Sequence, residues 1–154
     1  MTKVPQVLVI DPDRESTADI QKLLVAAGFS LVGQSGYGVE GFTLAFQLHP
    51  DVVLARVDEP SARPLQTLSK LNDALPDLPL VAFSQTISSR LMRQCMISGV
   101  DDVLEAPLQS QDLADSLSRA MDRKERANLR RRGALEAPVP QGTIVTVFGA
   151  KGGI

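Results

Sequence analysis

Short runs of apolar residues alternate along this chain with longer stretches in which apolar positions recur every three or four residues, and the pattern repeats five times. Val7-Leu8-Val9-Ile10 is the first run and reads as a buried strand. Asp13 then stands as the N-cap of a helix with Ile20, Leu23, Leu24 and Ala27 inward, closed by Gly28. A second strand spans Ser30 to Gln34, and a turn containing Gly36 and Gly38 leads into the next helix. That helix carries Val39, Phe42, Ala45 and Phe46 on one face and stops before Pro50, which disfavours helical backbone at the residue preceding it. Val52 to Ala55 is the third strand, and Pro64 suits the first turn of a helix bearing Leu65, Leu68, Leu71 and Leu75. Leu80 to Phe83 is the fourth strand, with a helix from about Ser88 to Gly99 behind it. Val103-Leu104 is a short fifth strand, and Ser110 caps a long helix with Leu113, Leu117, Ala120 and Met121 inward.

Strands that are apolar throughout, each followed by a helix, predict an α/β fold: a doubly wound parallel sheet covered on both faces. In such a sheet the functional site lies outside the carboxyl ends of the strands. The candidate positions are therefore Asp11 to Asp13, Arg56, Ser84-Gln85 and Ala106-Pro107.

Charge adds a second feature. The 154 residues carry 16 basic and 18 acidic side chains, a formal net charge of −2, yet the signs are segregated. Residues 1–118 hold 8 basic and 15 acidic side chains, whereas residues 119–132 hold 7 basic and 2 acidic. Nucleic acid or anionic lipid attracts such a cluster. No aromatic residue interleaves it for stacking on bases, so it reads as the solvated end of a helix, where cations complement the C-terminal dipole. No nucleic-acid partner is expected. One cysteine, Cys95, excludes an internal disulfide and fits a reducing cytoplasm, and one histidine with one cysteine makes no zinc site. No apolar run is long enough to span a bilayer. Residues 133–142 are punctuated by Pro and Gly as a linker is, and Thr143 to Phe148 reads as one more buried strand leading into Gly149-Ala150-Lys151-Gly152-Gly153-Ile154. A chain that ends on the start of a new domain is expected to be cut from a longer protein.

Four segments, in register, resemble response-regulator receiver domains over residues 5 to about 122. Val7-Leu8-Val9-Ile10-Asp11 is similar to the first receiver strand and its acidic end. Pro50-Asp51-Val52-Val53-Leu54-Ala55 resembles the approach to the phosphoacceptor, with Pro60 where the family's proline follows it. Pro79-Leu80-Val81-Ala82-Phe83-Ser84 resembles the fourth strand with its switch hydroxyl. Gly99-Val100-Asp101-Asp102-Val103-Leu104-Glu105-Ala106-Pro107-Leu108 resembles the fifth strand and its Lys-Pro turn. The resemblance implies a five-stranded sheet in the order 2-1-3-4-5 for residues 1–122, followed by a basic helix extension and linker over 123–142.

The same resemblance implies that the chemistry is gone. A receiver needs a carboxylate nucleophile, an adjacent acidic pair holding Mg²⁺, and a lysine on the transferred phosphoryl group. The nucleophile's position holds Arg56, and a guanidinium does not attack phosphorus. Pro12 replaces the second acid, Ala106 replaces the lysine, and Val103 replaces the aromatic residue that reports activation. Ser84 keeps its hydroxyl with no phosphoryl group to grip. The expected pocket is thus a degenerate one of Asp11, Pro12, Asp13, Arg56, Ser84, Ala106 and Pro107, with no catalytic residue and no metal. In one arrangement Arg56 pairs with Asp11, aided by Asp13, and holds the pocket in one state. In the other, Arg56 turns out to solvent, and Asp13 in either case serves to cap its helix. Asp58 and Glu59 read as a solvated acidic loop away from Asp11 and not as substitute acceptors.

The tail, Phe148-Gly149-Ala150-Lys151-Gly152-Gly153-Ile154, resembles the opening of the deviant phosphate-binding loop of MinD/ParA-type ATPases, with Lys151, Gly152 and Gly153 as incomplete nucleotide-binding residues. A degenerate receiver ahead of such a loop, within 143–154, resembles the CpaE/TadZ family of pilus-assembly and localisation ATPases of tight-adherence (Tad/Flp-type) systems. That resemblance implies a cytoplasmic, non-enzymatic interaction module that reaches the membrane or cell pole through pilus-assembly or polar localisation partners. ATP and Mg²⁺ would belong to a C-terminal domain past Ile154, and this chain is expected to need no cofactor. The alternative is a phosphorelay receiver with an atypical acceptor. A weak homodimer is also expected, through a face carrying Arg90, Met92 and Arg93 beside Asp101, Asp102, Asp112 and Asp115, since opposite charges in one patch suit an isologous pair.

Overall fold

A computed structural model describes residues 3–136 of the chain. Five strands, β1 (Gln6–Ile10), β2 (Ser30–Ser35), β3 (Val52–Arg56), β4 (Leu80–Ser84) and β5 (Asp102–Glu105), form one sheet in the order β2-β1-β3-β4-β5. Each pairing is parallel. Between and after them run α1 (Arg14–Ala26), α2 (Val39–Leu48), α3 (Ala62–Ala74), α4 (Ser89–Ile97) and α5 (Ser110–Glu136). The expected class and strand order are the observed ones.

Alternation along the strands divides the core in two. Leu8, Ile10, Val53 and Ala55 pack with Ala45 of α2, Leu65, Leu68 and Leu71 of α3, and Leu91 and Cys95 of α4. Their neighbours Val7, Val9, Val52, Leu54, Val81 and Phe83 point the other way, onto Ile20 and Leu24 of α1 and Leu113, Leu117 and Ala120 of α5. Both faces are therefore dry at the centre of the sheet, which is why residues 7–10, 52–55 and 80–83 are apolar throughout and do not alternate, while the edge strands β2 and β5 carry polar residues. Cys95 is fully buried, and that burial raises its thiol pKa, as an inert core cysteine requires.

Element ends follow side-chain chemistry. The Asp13 carboxylate accepts from Glu15 N at 2.9 Å and Ser16 N at 3.3 Å and starts α1. Ser88 Oγ accepts from Leu91 N at 3.0 Å and starts α4. Gly99 follows α4 at φ +93, where Asn72 approaches so closely that a Cβ would lie 2.3 Å from its Cγ. Three expectations change. The helix expected to begin behind a Ser110 cap begins at Ser110 itself. It also continues through the basic stretch past Gly133 to Glu136, so the first residues assigned to a linker are helical. Finally, Val39 and Phe46, expected on an inward face, are 81% and 43% exposed, while Ala45 takes the core position.

The chain divides into two units after Lys124. No helix among the described residues is long and apolar enough to cross a membrane. The strand expected over 143–148 and the loop residues Lys151, Gly152 and Gly153 lie outside the described residues.

Candidate functional site

The sheet order puts β1, β3 and β4 side by side, so the residues at their carboxyl ends converge. Asp11 follows β1, Arg56 closes β3, and Ser84 closes β4. Asp11 is wholly buried, and its environment satisfies every polar atom it has. Its backbone N–H donates to Ser35 O at 2.8 Å and its carbonyl accepts from Gln34 Nε2 at 2.5 Å. Its Oδ1 accepts from Asp13 N at 2.9 Å and its Oδ2 from Arg56 Nε at 3.1 Å.

Arg56 is the hub. Besides Asp11, its Nη1 donates to Asp58 Oδ2 at 2.7 Å and its Nη2 to Ser16 Oγ at 2.5 Å. The guanidinium carbon lies 4.8 Å from the centroid of the Phe83 ring, within cation–π range. Tyr37 Oη donates to the Arg56 carbonyl at 2.8 Å, so the backbone is pinned as well. Only 18% of the Arg56 side chain remains exposed. Such a fork uses what lysine lacks: three separate N–H directions from one planar cation. Burial opposes the Arg56 charge, but hydrogen bonds and attraction from Asp58 and Asp11 outweigh it and raise the pKa above its usual value. Burial and the negative charge of Asp11 push the Tyr37 phenol up to about 12, partly offset by Arg56.

Asp58 is where the sequence expectation fails. The sequence places it in a solvated loop away from Asp11; instead its carboxylate bridges Arg56 to the end of β4. Oδ1 accepts from Ser84 Oγ and from Gln85 N, both at 2.7 Å, while Oδ2 holds Arg56. Burial raises the Asp58 pKa, but the Gln85 N–H, the Arg56 guanidinium and the Ser84 hydroxyl together bring it below the usual carboxylate value. Ser84, expected to have nothing to grip, grips Asp58. The signal in the sequence was the arginine itself: a three-armed buried cation with one acid at hand needs further acceptors, and Asp58 is the next acid along the chain.

The remaining candidates stand apart from this cluster. The Asp13 carboxylate caps α1, and Asp13 aids the pair only through its backbone N–H, which donates to Asp11 Oδ1. Pro12 is exposed between them. Ala106 donates its N–H to Ser84 O at 2.8 Å, and the Ala106–Pro107 peptide is cis. Val103 is a core residue. Glu59 Oε1 accepts from Ser61 N at 3.1 Å at the start of α3. Among the described residues, no three His, Cys, Asp or Glu side chains gather as metal ligands.

Acids of the face expected to self-associate also make contacts within the molecule. Asp101 Oδ2 accepts from Leu80 N at 2.9 Å, and Asp101 lies 3.9 Å from Lys124. Asp102 Oδ2 accepts from Ser116 Oγ at 2.7 Å and from Arg119 at 3.4 Å. Asp115 accepts from Gln111 on its own helix at 3.0 Å. Three of the four acids assigned to that patch are thus engaged within the molecule.

No family model matches the chain. The nitrate/nitrite response regulator NarL of Escherichia coli K12 is 27% identical over 115 residues, covering 74% of this chain and 53% of NarL. A response regulatory protein of Vibrio cholerae is 25% identical over 123 residues, covering 79% of this chain and 50% of its own length. The CheY-like receiver domain protein of Methanospirillum hungatei superposes with a TM-score of 0.70 at 16% identity, covering 81% of this chain and 99% of that one. The domain has the CheY-like receiver fold, and its sequence is similar to those of response regulators. The receiver-type chain spans about half the length of the curated relatives it matches. A pilus assembly-related protein of Burkholderia pseudomallei also superposes, at TM-score 0.70 and 25% identity, over 77% of this chain and 90% of that one.

Proposed function

We propose that this receiver-type domain works without phosphorylation, as an interaction and localisation module of a pilus-assembly ATPase-like protein of the tight-adherence type. The observation that carries the first half is the Arg56 cluster. At the end of β3, where a phosphoacceptor is expected, stands a cation whose three arms are bonded to Asp11, Asp58 and Ser16. The hydroxyl of Ser84 is bonded to Asp58. A carboxylate thus already takes the bonds that an incoming anion would need, and an arginine occupies the place of the divalent cation's charge. Such a pocket has one state, and a module with one state is constitutive: its partners read the presence of the protein and not its modification.

Support for the second half is the similarity to the Burkholderia pseudomallei pilus assembly-related protein, together with the Lys151-Gly152-Gly153 sequence after an apolar run. In this reading the protein acts in the cytoplasm, at the membrane or cell pole through protein partners, and ATP with Mg²⁺ serves a C-terminal domain. Deleting the gene in its host should abolish surface pili, and unchanged piliation would refute the pilus assignment.

The phosphorelay alternative has one observation in its favour: Asp58 is 28% exposed and lies beside Ser84. Its carboxylate is nevertheless the acceptor of three hydrogen bonds, which lower its nucleophilicity. Incubation with acetyl phosphate and Mg²⁺ should leave the intact mass unchanged. A stoichiometric phosphoryl adduct on Asp58 would establish the alternative.

A further inference from the structure

Three donors on separate supports meet on the Asp58 carboxylate. Ser84 Oγ and Gln85 N both donate to Asp58 Oδ1 at 2.7 Å, and Arg56 Nη1 donates to Oδ2 at the same distance. Arg56 closes β3, and its guanidinium is fixed by Asp11, Ser16 and the Phe83 ring. Ser84 closes β4 and is buried, so its hydroxyl is placed by the sheet. Gln85 N opens the loop that leads to α4. A hydroxyl, a peptide N–H and a guanidinium converging on two oxygens make an arrangement suited to a carboxylate or another small oxyanion. Against the cost of burial, these donors lower the Asp58 pKa, so the place favours a negative charge.

The bonds to Asp58 also hold a connection. Residues 85–88 join β4 to α4, and their first N–H is the one that Asp58 accepts. On the other side, Ile87 N donates to Glu105 Oε2 at the end of β5 at 3.2 Å. Ser88 then caps α4 through Leu91 N. The start of α4 is thus hung between two carboxylates, one of which also touches Arg56.

We propose that Arg56 Nη1, Ser84 Oγ and Gln85 N form an oxyanion-binding site of which Asp58 is the tethered occupant, and that filling this site fastens the connection to α4. The side chain of Asp58 is 28% exposed, so the site opens to solvent and a small ion can reach it once the carboxylate is gone. While Asp58 is present, a free ion competes against a group held on the same chain at high effective concentration and stays out. A monovalent oxyanion such as formate restores the charge count when it replaces Asp58, since Arg56 then again stands between two negative groups. The inference rests on the reading of the Arg56 pocket as one closed by the chain's own side chains.

Amide hydrogen exchange of the full chain, with formate as the probe ion, tests it. In Asp58→Ala, exchange at Gln85 should quicken by roughly tenfold or more, because its N–H loses a charged acceptor. Sodium formate should slow that exchange again, whereas sodium chloride at the same ionic strength should not. An ion of three non-hydrogen atoms binds no tighter than about millimolar, so the titration extends to about 0.2 M. The wild-type chain should not respond, since its site is filled, and Asp58→Ala combined with Ser84→Ala should respond less than Asp58→Ala alone. Asp58→Asn keeps an acceptor without the charge and should quicken Gln85 by a smaller factor, which serves if Asp58→Ala does not fold. Far-ultraviolet circular dichroism establishes which variants remain folded. Unchanged exchange at Gln85 in the Asp58 variants, no recovery with formate, equal recovery with chloride, or recovery undiminished by Ser84→Ala would each overturn the proposal. Its failure is distinct from that of the closed-pocket reading: an adduct with acetyl phosphate appears in the intact mass, and a failed formate recovery leaves that mass unchanged.

Discussion

At the carboxyl ends of the strands, Arg56, Asp11 and Asp58 are answered from within the molecule, whereas along α2 and α3 the charges of Arg63, Lys70 and Asp73 face water beside two exposed apolar side chains. Both regions are built from residues at element ends or helix surfaces, and both contain an arginine beside aromatic rings. The difference lies in what each charge costs. A carboxylate buried as fully as Asp11 must have a partner, and a cation 18% exposed must bring several. An exposed arginine needs none, since water serves it. The first region is therefore committed to one arrangement, and the second leaves its charges to water.

The comparison breaks first at Arg56. Arg56→Ala would leave Asp11 buried without its cation and Asp58 without its guanidinium, and should destabilise the domain by about 2–4 kcal/mol. An unchanged denaturant midpoint would mean that the cluster contributes nothing. Next is Asp58→Ala, which strands the Ser84 hydroxyl and Gln85 N–H and should cost about 1–2 kcal/mol. Amide hydrogen exchange at residues 85–87 should quicken in that variant and stay slow at Leu8 and Val53.

Acid sharpens the same contrast. The Asp58 carboxyl titrates lower in the folded chain than in the unfolded one, whose ordinary value is 3.8. The folded state therefore binds fewer protons below that value, so the contribution of Asp58 is complete above it and is lost as pH falls through the folded value. Asp101 has the opposite sign. Burial raises its carboxyl above 3.8, against the Leu80 N–H and nearby cations, so stability rises as pH falls through the raised value. Asp101→Asn should erase that rise and change stability at neutral pH by less than about 1 kcal/mol, because the amide oxygen can still accept from Leu80 N. Smallest of all, Arg63→Ala should shift stability by no more than about 0.5 kcal/mol, as expected of an unpaired surface residue. A loss comparable to that of Arg56→Ala would erase the distinction between the two regions.

Much of this was legible from residue pattern. Strands such as Val7–Ile10, apolar at every position, can only be covered on both faces, and that demand fixed the class and the order of elements. The pairing of Arg56 with Asp11 is one of two arrangements that the sequence leaves open, and the structure decides between them. Asp58 is missed although the arginine points toward it, because it sits two residues beyond the strand in a loop, and the spread of the arginine's fork decides which acids it reaches. Val39 and Phe46 were misplaced for a different reason. A helical period reports which residues share a face, but not how wide a stripe the sheet below has room to cover. The internal partners of Asp101 and Asp102 were equally hidden, since Leu80, Ser116 and the cations of α5 lie far away in sequence.

The central claim is that Arg56 and Asp58 act as one unit closing the pocket. A double-mutant cycle of Arg56→Ala and Asp58→Ala, read by denaturant unfolding, measures it directly. Each single variant already breaks their 2.7 Å contact, so the double variant should cost less than the two losses added, by about 1 kcal/mol or more. Losses that simply add would contradict the account and leave Arg56 and Asp58 as independent neighbours.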